Sequence, residues 1–417
     1  MQNDKFKRTR FACYAAYFTM SSVFSLPPLL FMTFREQYGI SYTLLGTLVL
    51  VNFCTQLAID LVFTFFTKYF NVPKVVRIMP LITAFGLLCY ALIPTLFPDF
   101  AYGGLLIGTV LFSVSAGLSE CLLSPTIAAM PSENPQRDMS MLHSLYAFGV
   151  FTVVVISTIF LKLFGSDNWM LLTIFWAVLP VIPSVLFFLS PMPDMDITES
   201  EGGSSTSASH RTLGLALCLA CIFFGSCSEN VMSNWISTYM ENALHIDKAV
   251  GDILGMAVFA ILLGLTRMGY AKFGKNISRM LLFGMAGAAV CYLTAGLAQG
   301  TIVAFVACIL TGICTSMLWP GTLILMEEKL PGAGVTAYAM MAAGGDFGAS
   351  VAPQLMGIVV DKVSASATGI ELASTLGMTV EQVGMKAGML VTAIFPILGV
   401  IVVLLAMRYF GKNKVKQ

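Results

Sequence analysis

The chain has 417 residues, of which 57% are hydrophobic and only 11% are Asp, Glu, Lys or Arg. A soluble domain carries about 25% charged residues, so this chain has too few charges to cover a water-facing surface and its solvent must be lipid. The net charge of +1 offers no basis for binding nucleic acid or an anionic surface.

A membrane-spanning helix needs about 20 mostly apolar residues. That window gives twelve spans, at approximately 11–34, 42–66, 77–97, 101–130, 141–165, 168–190, 212–240, 249–270, 279–298, 301–327, 332–360 and 387–409. The first run, Phe11 to Phe34, is too long for a signal-peptide core and lacks a small-residue cleavage site, so it counts as a span. The third and fourth spans, and the ninth and tenth, are joined so closely that each pair reads as a tight hairpin. All ten cysteines fall inside apolar runs, including the Cys218–Cys221 pair. They read as small packing residues, with no disulfide framework, bound metal or cofactor called for.

Lys and Arg placement sets the orientation. With the N-terminus in the cytoplasm, 18 of these residues fall on the cytoplasmic side and 5 outside. One missed or extra helix would scramble that split, so it supports an even count with both termini inside. The chain is thus expected in a bacterial inner (plasma) membrane.

Residues 191–211, PMPDMDITESEGGSSTSASHR, are acidic, rich in Ser and Gly, and lack apolar periodicity. They read as a cytoplasmic linker between a six-helix bundle at 1–190 and another at 212–417. A second polar stretch at 364–386 has room for a short helix. The halves echo each other: Gly117, Pro125 and Gly149 map onto Gly312, Pro320 and Gly344 by one offset of 195. Parallel six-helix repeats around a midplane site are a layout of secondary transporters.

An ionisable side chain at membrane depth costs at least about 2.5–3.5 kcal/mol, so it should face protein or water. The candidates are Asp60, Glu120, His143, Glu229, Arg267 and Asp346. The third, sixth, ninth and twelfth spans hold none in their interiors. Asn52, Gln56 and Asp60 share a face at i, i+4, i+8, as do Asp346, Ser350 and Gln354. Ser226, Glu229, Asn230 and Ser233 form a third stripe.

Glu120, Glu229 and Asp346 lie near mid-span with few basic residues at their depth. A desolvated carboxyl without a cationic partner can load and release a proton, so these three are the proton-coupling candidates. Asp60, nearer the cytoplasmic end, is read as bracing the loop after the second span. Arg267, with Lys272, Lys275 and Arg279 nearby, is read as a loop anchor. His143 could brace the fifth span or face a cavity floor. Trp235 and Trp319 offer ring faces for the CH surface of a polyhydroxylated solute, whose hydroxyls would meet amides and carboxyls. The substrate-binding candidates are accordingly Asn52, Gln56, His143, Asn230, Trp235, Trp319 and Gln354.

Several stretches resemble fucose-permease-like transporters of the major facilitator superfamily. They are GLSECLLSPTIAAMPSENPQ from Gly117, SMLHSLYAFG from Ser140, SENVMSNW from Ser228, LWPGT from Leu318 and AAGGDFGASVAPQLMG from Ala342. The resemblance implies an all-α membrane protein of twelve helices in two pseudo-symmetric six-helix bundles. Its third, sixth, ninth and twelfth helices would be the outer ones. It also implies monomeric, proton-driven sugar uptake by alternating access, with Glu120 at the position of the family's coupling glutamate. The family's first-helix aspartate has no counterpart here, and TKYFNVPKVVR at 67–77 keeps only the basic residues of the usual loop signature.

The leading expectation is therefore a symporter for protons and a small polar solute, a sugar above all. The alternative is a proton-driven efflux antiporter for amphipathic compounds, which would want a wide apolar cavity. A membrane-embedded enzyme or sensor is disfavoured, because the three histidines do not cluster and no soluble catalytic domain is present.

Overall fold

A computed structural model describes residues 5–66, 69–133, 135–193, 208–274, 276–330 and 334–413. The secondary structure among them is helical, with no strand. Among the described residues, eleven segments are long and apolar enough to cross a membrane. The remaining expected span forms a helix of 31 residues, Gly334–Ser364.

The first five helices are α1 (Lys7–Tyr38), α2 (Tyr42–Phe66), α3 (Val72–Leu96), α4 (Ala101–Ala128) and α5 (Pro135–Phe164). The sixth span is α6a (Trp169–Val178) and α6b (Val181–Phe188). Then come α7 (Ala208–Asn242), α8 (Val258–Phe273, preceded by a π-helical Gly251–Ala257), α9 (Ile277–Leu297), α10a (Thr301–Thr315), α10b (Leu318–Lys329) and α11 (Gly334–Ser364). The chain closes with α12 (Ala367–Leu376), α13a (Val380–Thr392) and α13b (Ile394–Asn413).

The interrupted spans have a shared cause. Proline cannot donate to the carbonyl four residues back and its ring crowds that carbonyl. Pro180 lies at the α6 break, Pro320 just past the α10 break and Pro396 just past the α13 break. The last span begins earlier than its apolar window, at Val380, because Thr379 and Gln382 form a capping box there. The polar stretch at 364–386 holds α12, capped by Ser366 at its start and by Gly377 in the left-handed conformation (φ 64°) at its end.

The outside of these bundles is apolar. Phe85, Phe175, Phe283, Val290 and Ile401 are among the large exposed side chains, while Ser21, Ser25, Asn52, Gln56, Ser113 and Thr311 are buried. That inversion is stable only where hydrocarbon is the solvent, which leaves backbone groups to be satisfied within helices.

The chain forms two compact units. One comprises Met1–Ile40 and Val51–Thr198, the other Ser41–Leu50 and Glu199–Gln417. Most of the expected linker, 194–207, lies outside the described residues. Ser41 and the first nine residues of the second span group with the C-terminal unit, which a division at the linker alone does not anticipate. A helix start leaves its first N–H groups without partners. Here the Asp361 carboxylate of α11 accepts from the N–H groups of Tyr42 (3.2 Å) and Thr43 (2.6 Å). The Tyr42 ring also lies 6.0 Å from that of Trp235.

Within each unit the same pairs pack. In the first unit α1 packs on α5, and α3 on α4 and α6a; in the second α7 packs on α11, and α9 on α10a and α13b. The glycines related by 195 residues sit at matching joints. A side chain at Gly117 of α4 would meet the α2 backbone at Gln56 (3.2 Å), and one at Gly312 of α10a the α8 backbone at Phe259 (2.7 Å). Gly149 of α5 lies against α1 at Phe18 and Ser21, and Gly344 of α11 against α7 at Leu219.

Candidate functional site

In the N-terminal unit the polar stripe of α2 faces α4. Asn52 Oδ1 accepts from Ser113 Oγ (2.6 Å) and from Gln56 Nε2 (3.1 Å). Asn52 and Gln56 are both buried, Gln56 completely. They join the two helices one turn away from a pair of acids. Because Gly117 has no side chain, α4 closes onto α2 at Gln56 and Ile59, and the next turn brings Asp60 and Glu120 face to face. Their carboxylate oxygens lie within 4.8 Å of one another. Asp60 is buried, and its Oδ1 accepts from the Cys121 thiol (3.0 Å). Glu120 is half-buried. Among the described residues no hydrogen bond or ion pair engages its carboxylate. The sequence reading of Asp60 as a loop brace is thus corrected: the i, i+4, i+8 stripe carries it to the face that meets Glu120. The His143 side chain lies outside the described residues.

In the C-terminal unit a second polar centre forms around Arg267 of α8. The sequence reading left Glu229 without a cation and sent Arg267 to a loop. In the structure the arginine stem reaches across to α7, and Nη2 donates to Glu229 Oε1 (3.1 Å) and Oε2 (3.3 Å). Nε donates to the Ser316 carbonyl (2.8 Å). That carbonyl is the one Pro320 cannot serve, so the helix break and the arginine explain each other. Glu229 lies thirteen residues before the end of α7 at Asn242, about 20 Å at 1.5 Å per residue, and so near mid-span.

The rest of the α7 stripe bonds largely along its own helix. Asn230 Nδ2 donates to Ser226 O (3.1 Å), Ser233 Oγ to Asn230 O (3.3 Å) and Asn234 Nδ2 to Asn230 O (2.8 Å). Asn230 remains half-buried. Trp319, one turn after Ser316, is also half-buried, and its ring lies against Gly345 of α11. The next residue, Asp346, is 2% exposed. Gln354 is half-buried near the start of α2, its Oε1 close to Gly46. Trp235 is fully buried and donates from Nε1 to the Pro353 carbonyl (3.1 Å), which leaves its ring no open face.

The sequence model of the Major Facilitator Superfamily matches residues 11–353. The chain belongs to this superfamily. Its members are membrane transporters and not enzymes. A search of curated protein sequences gave no match. Solved transporters share the fold at low identity. A bacterial homologue of the human lysosomal transporter Spinster aligns with a TM-score of 0.75 and 12% identity, over 97% of this chain and 98% of that one. A D-xylose–proton symporter aligns at 0.73 and 14%, over 94% and 97%. The E. coli fucose:proton symporter FucP aligns at 0.60 and 12%, over 96% and 99%. At such identities the likeness shows the fold alone.

Proposed function

We propose that this transporter imports a small polar solute of the sugar type together with protons, by alternating access. It would act as a monomer in a bacterial plasma membrane with both termini in the cytoplasm. The observation that carries the reading is the Asp60–Glu120 pair. Two carboxylates this close in a low-dielectric bundle repel each other, and one added proton lets a carboxyl donate to its neighbour and removes half the charge. Glu120, half-buried and free of ion pairs among the described residues, is a proton carrier. Asp346 is a second acid for coupling. Asn230, Gln354 and Trp319 supply amide and aromatic contacts for the solute, while Asn52 and Gln56 hold α2 against α4 and so position the acids. The Lys and Arg bias supports the orientation, and the amide and aromatic side chains on α7, α10b and α11 support a small polar solute.

Uptake of a solute panel into proteoliposomes under an inward proton gradient tests this. Wild type should accumulate at least one solute. Glu120→Gln should lose accumulation by more than tenfold while keeping downhill exchange, because an amide carries no proton but preserves the site's shape. If no solute enters and a cationic dye is expelled, the protein is an exporter.

A further inference from the structure

We propose that the transported solute carries a carboxylate, that Arg267 binds it, and that Glu229 fills that position when the solute is absent. This rests on the uptake reading above and narrows its solute from a sugar to a sugar acid or kindred organic acid.

A guanidinium presents five N–H donors in a planar fork that matches a carboxylate. In Arg267, Nε is spent on Ser316 and Nη2 on Glu229. Among the described residues Nη1 donates to nothing. Through Nε the break in the tenth span sets the aim of the fork, so the cation is held in place before any solute arrives. The Glu229 carboxylate shows directly which chemical group this fork accepts.

The pair is not sealed. The side chains of Arg267 and Glu229 are 32% and 19% exposed. A half-open ion pair adds little stability, and ionisable groups at mid-span are costly residues that mark substrate and ion pathways. Holding the helix break would need only the Nε bond. The surplus donors and the exposure point to a ligand. One turn beyond Ser316, the half-buried Trp319 offers an apolar ring against which the carbon face of a polyhydroxylated acid can lie.

Charge balance then couples the solute to a proton. Arg267 and Glu229 together are neutral, so an added carboxylate would leave one net negative charge at membrane depth. A proton taken up on Glu229 cancels it, as the solute displaces that side chain from Arg267. Among the described residues no other cation is free to do so at this level. Beyond this pair, the acids and bases among the described residues of α7, α8 and the elements packed against them are Asp346, Glu241 and Asp252 with Lys248, Glu381, Lys386, and groups at the ends of α7, α8, α9, α10b, α11 and α13b. Lys248 is engaged with Asp252 (3.3 Å) and Lys386 with the Ala298 carbonyl (2.6 Å).

The test is equilibrium binding to the purified full chain in detergent, by calorimetry, with gluconate, lactate, glucose and glucose 6-phosphate as probes. A carboxylate should bind at least tenfold more tightly than glucose and bring about one proton with it, read by a pH indicator in weak buffer. Arg267→Gln should weaken that binding at least tenfold, and Arg267→Lys less. Glu229→Gln should keep carboxylate binding but lose the proton uptake and the dependence on pH. The proposal is overturned if glucose binds as well as the acids, if no acid binds, if only the phosphate ester binds, or if Arg267→Gln binds like wild type. Should Arg267→Gln fail to elute as a single folded species, Glu229→Gln decides: unchanged proton uptake overturns the proposal. Equilibrium binding needs no gradient, so failure here leaves neutral-sugar uptake standing. Intact gluconate binding without accumulation would instead sink only the uptake reading.

Discussion

At the scale of single residues, Pro320 and Arg267 act as one device. The proline withholds a hydrogen bond from Ser316 and the arginine replaces it. Pro320→Ala restores an N–H that can compete for the same carbonyl. The expected outcome is a straighter tenth span, a guanidinium released from its aim, and solute affinity lowered several-fold with little loss of folded protein. Binding isotherms beside a thermal melt separate the two effects. Asp361 works in a similar way at the start of α2, where it accepts from Tyr42 and Thr43. Asp361→Ala should cost about 0.5–2 kcal/mol, the usual range for a lost helix cap. A fall in Tm with retained solute affinity would show it.

At the scale of elements, close helix approach does the positioning. Gly312 puts α10a against the α8 backbone at Phe259, where a side-chain carbon would meet a carbonyl at 2.7 Å. A carbonyl on a packed helix cannot swing aside as a flexible side chain can. Gly312→Leu should therefore cost about 1–3 kcal/mol through overpacking and shift Ser316 relative to Arg267. A melt should show the stability loss, and solute binding should fall further than in Asp361→Ala. If Tm is unchanged, the close approach is wrong. Gly117 plays the matching part between α4 and α2, where it sets the distance from Asp60 to Glu120.

At the scale of the whole molecule, an apolar exterior and a polar interior define what solvent the fold needs. Val290 lies near the middle of α9 and is 63% exposed. Val290→Lys would place a charge in hydrocarbon at a cost of about 2.5–3.5 kcal/mol on insertion scales. The expected outcome is a severalfold drop in membrane-integrated protein, read by fractionation. Wild-type yield would mean that this face of α9 is not lipid-facing.

Hydropathy is a local property, so a window of some 20 residues was enough to reveal the spans, the membrane and the candidate acids. The offset of 195 residues was visible too, because a repeat preserves spacing whatever the packing. Which polar groups meet was decided only by the tertiary structure. Glu229 and Arg267 are 38 residues apart in the chain, and Asp60 and Glu120 sit on different helices again. Each residue turns a helix by about 100°, so a one-residue error in rotation moves a side chain to another face. Whether an arginine anchors a loop or reaches an acid on the next helix depends on that rotation and on how closely the backbones approach. The carboxyl pair and the guanidinium fork therefore belong to the packed structure, although every residue in them stood out in the sequence.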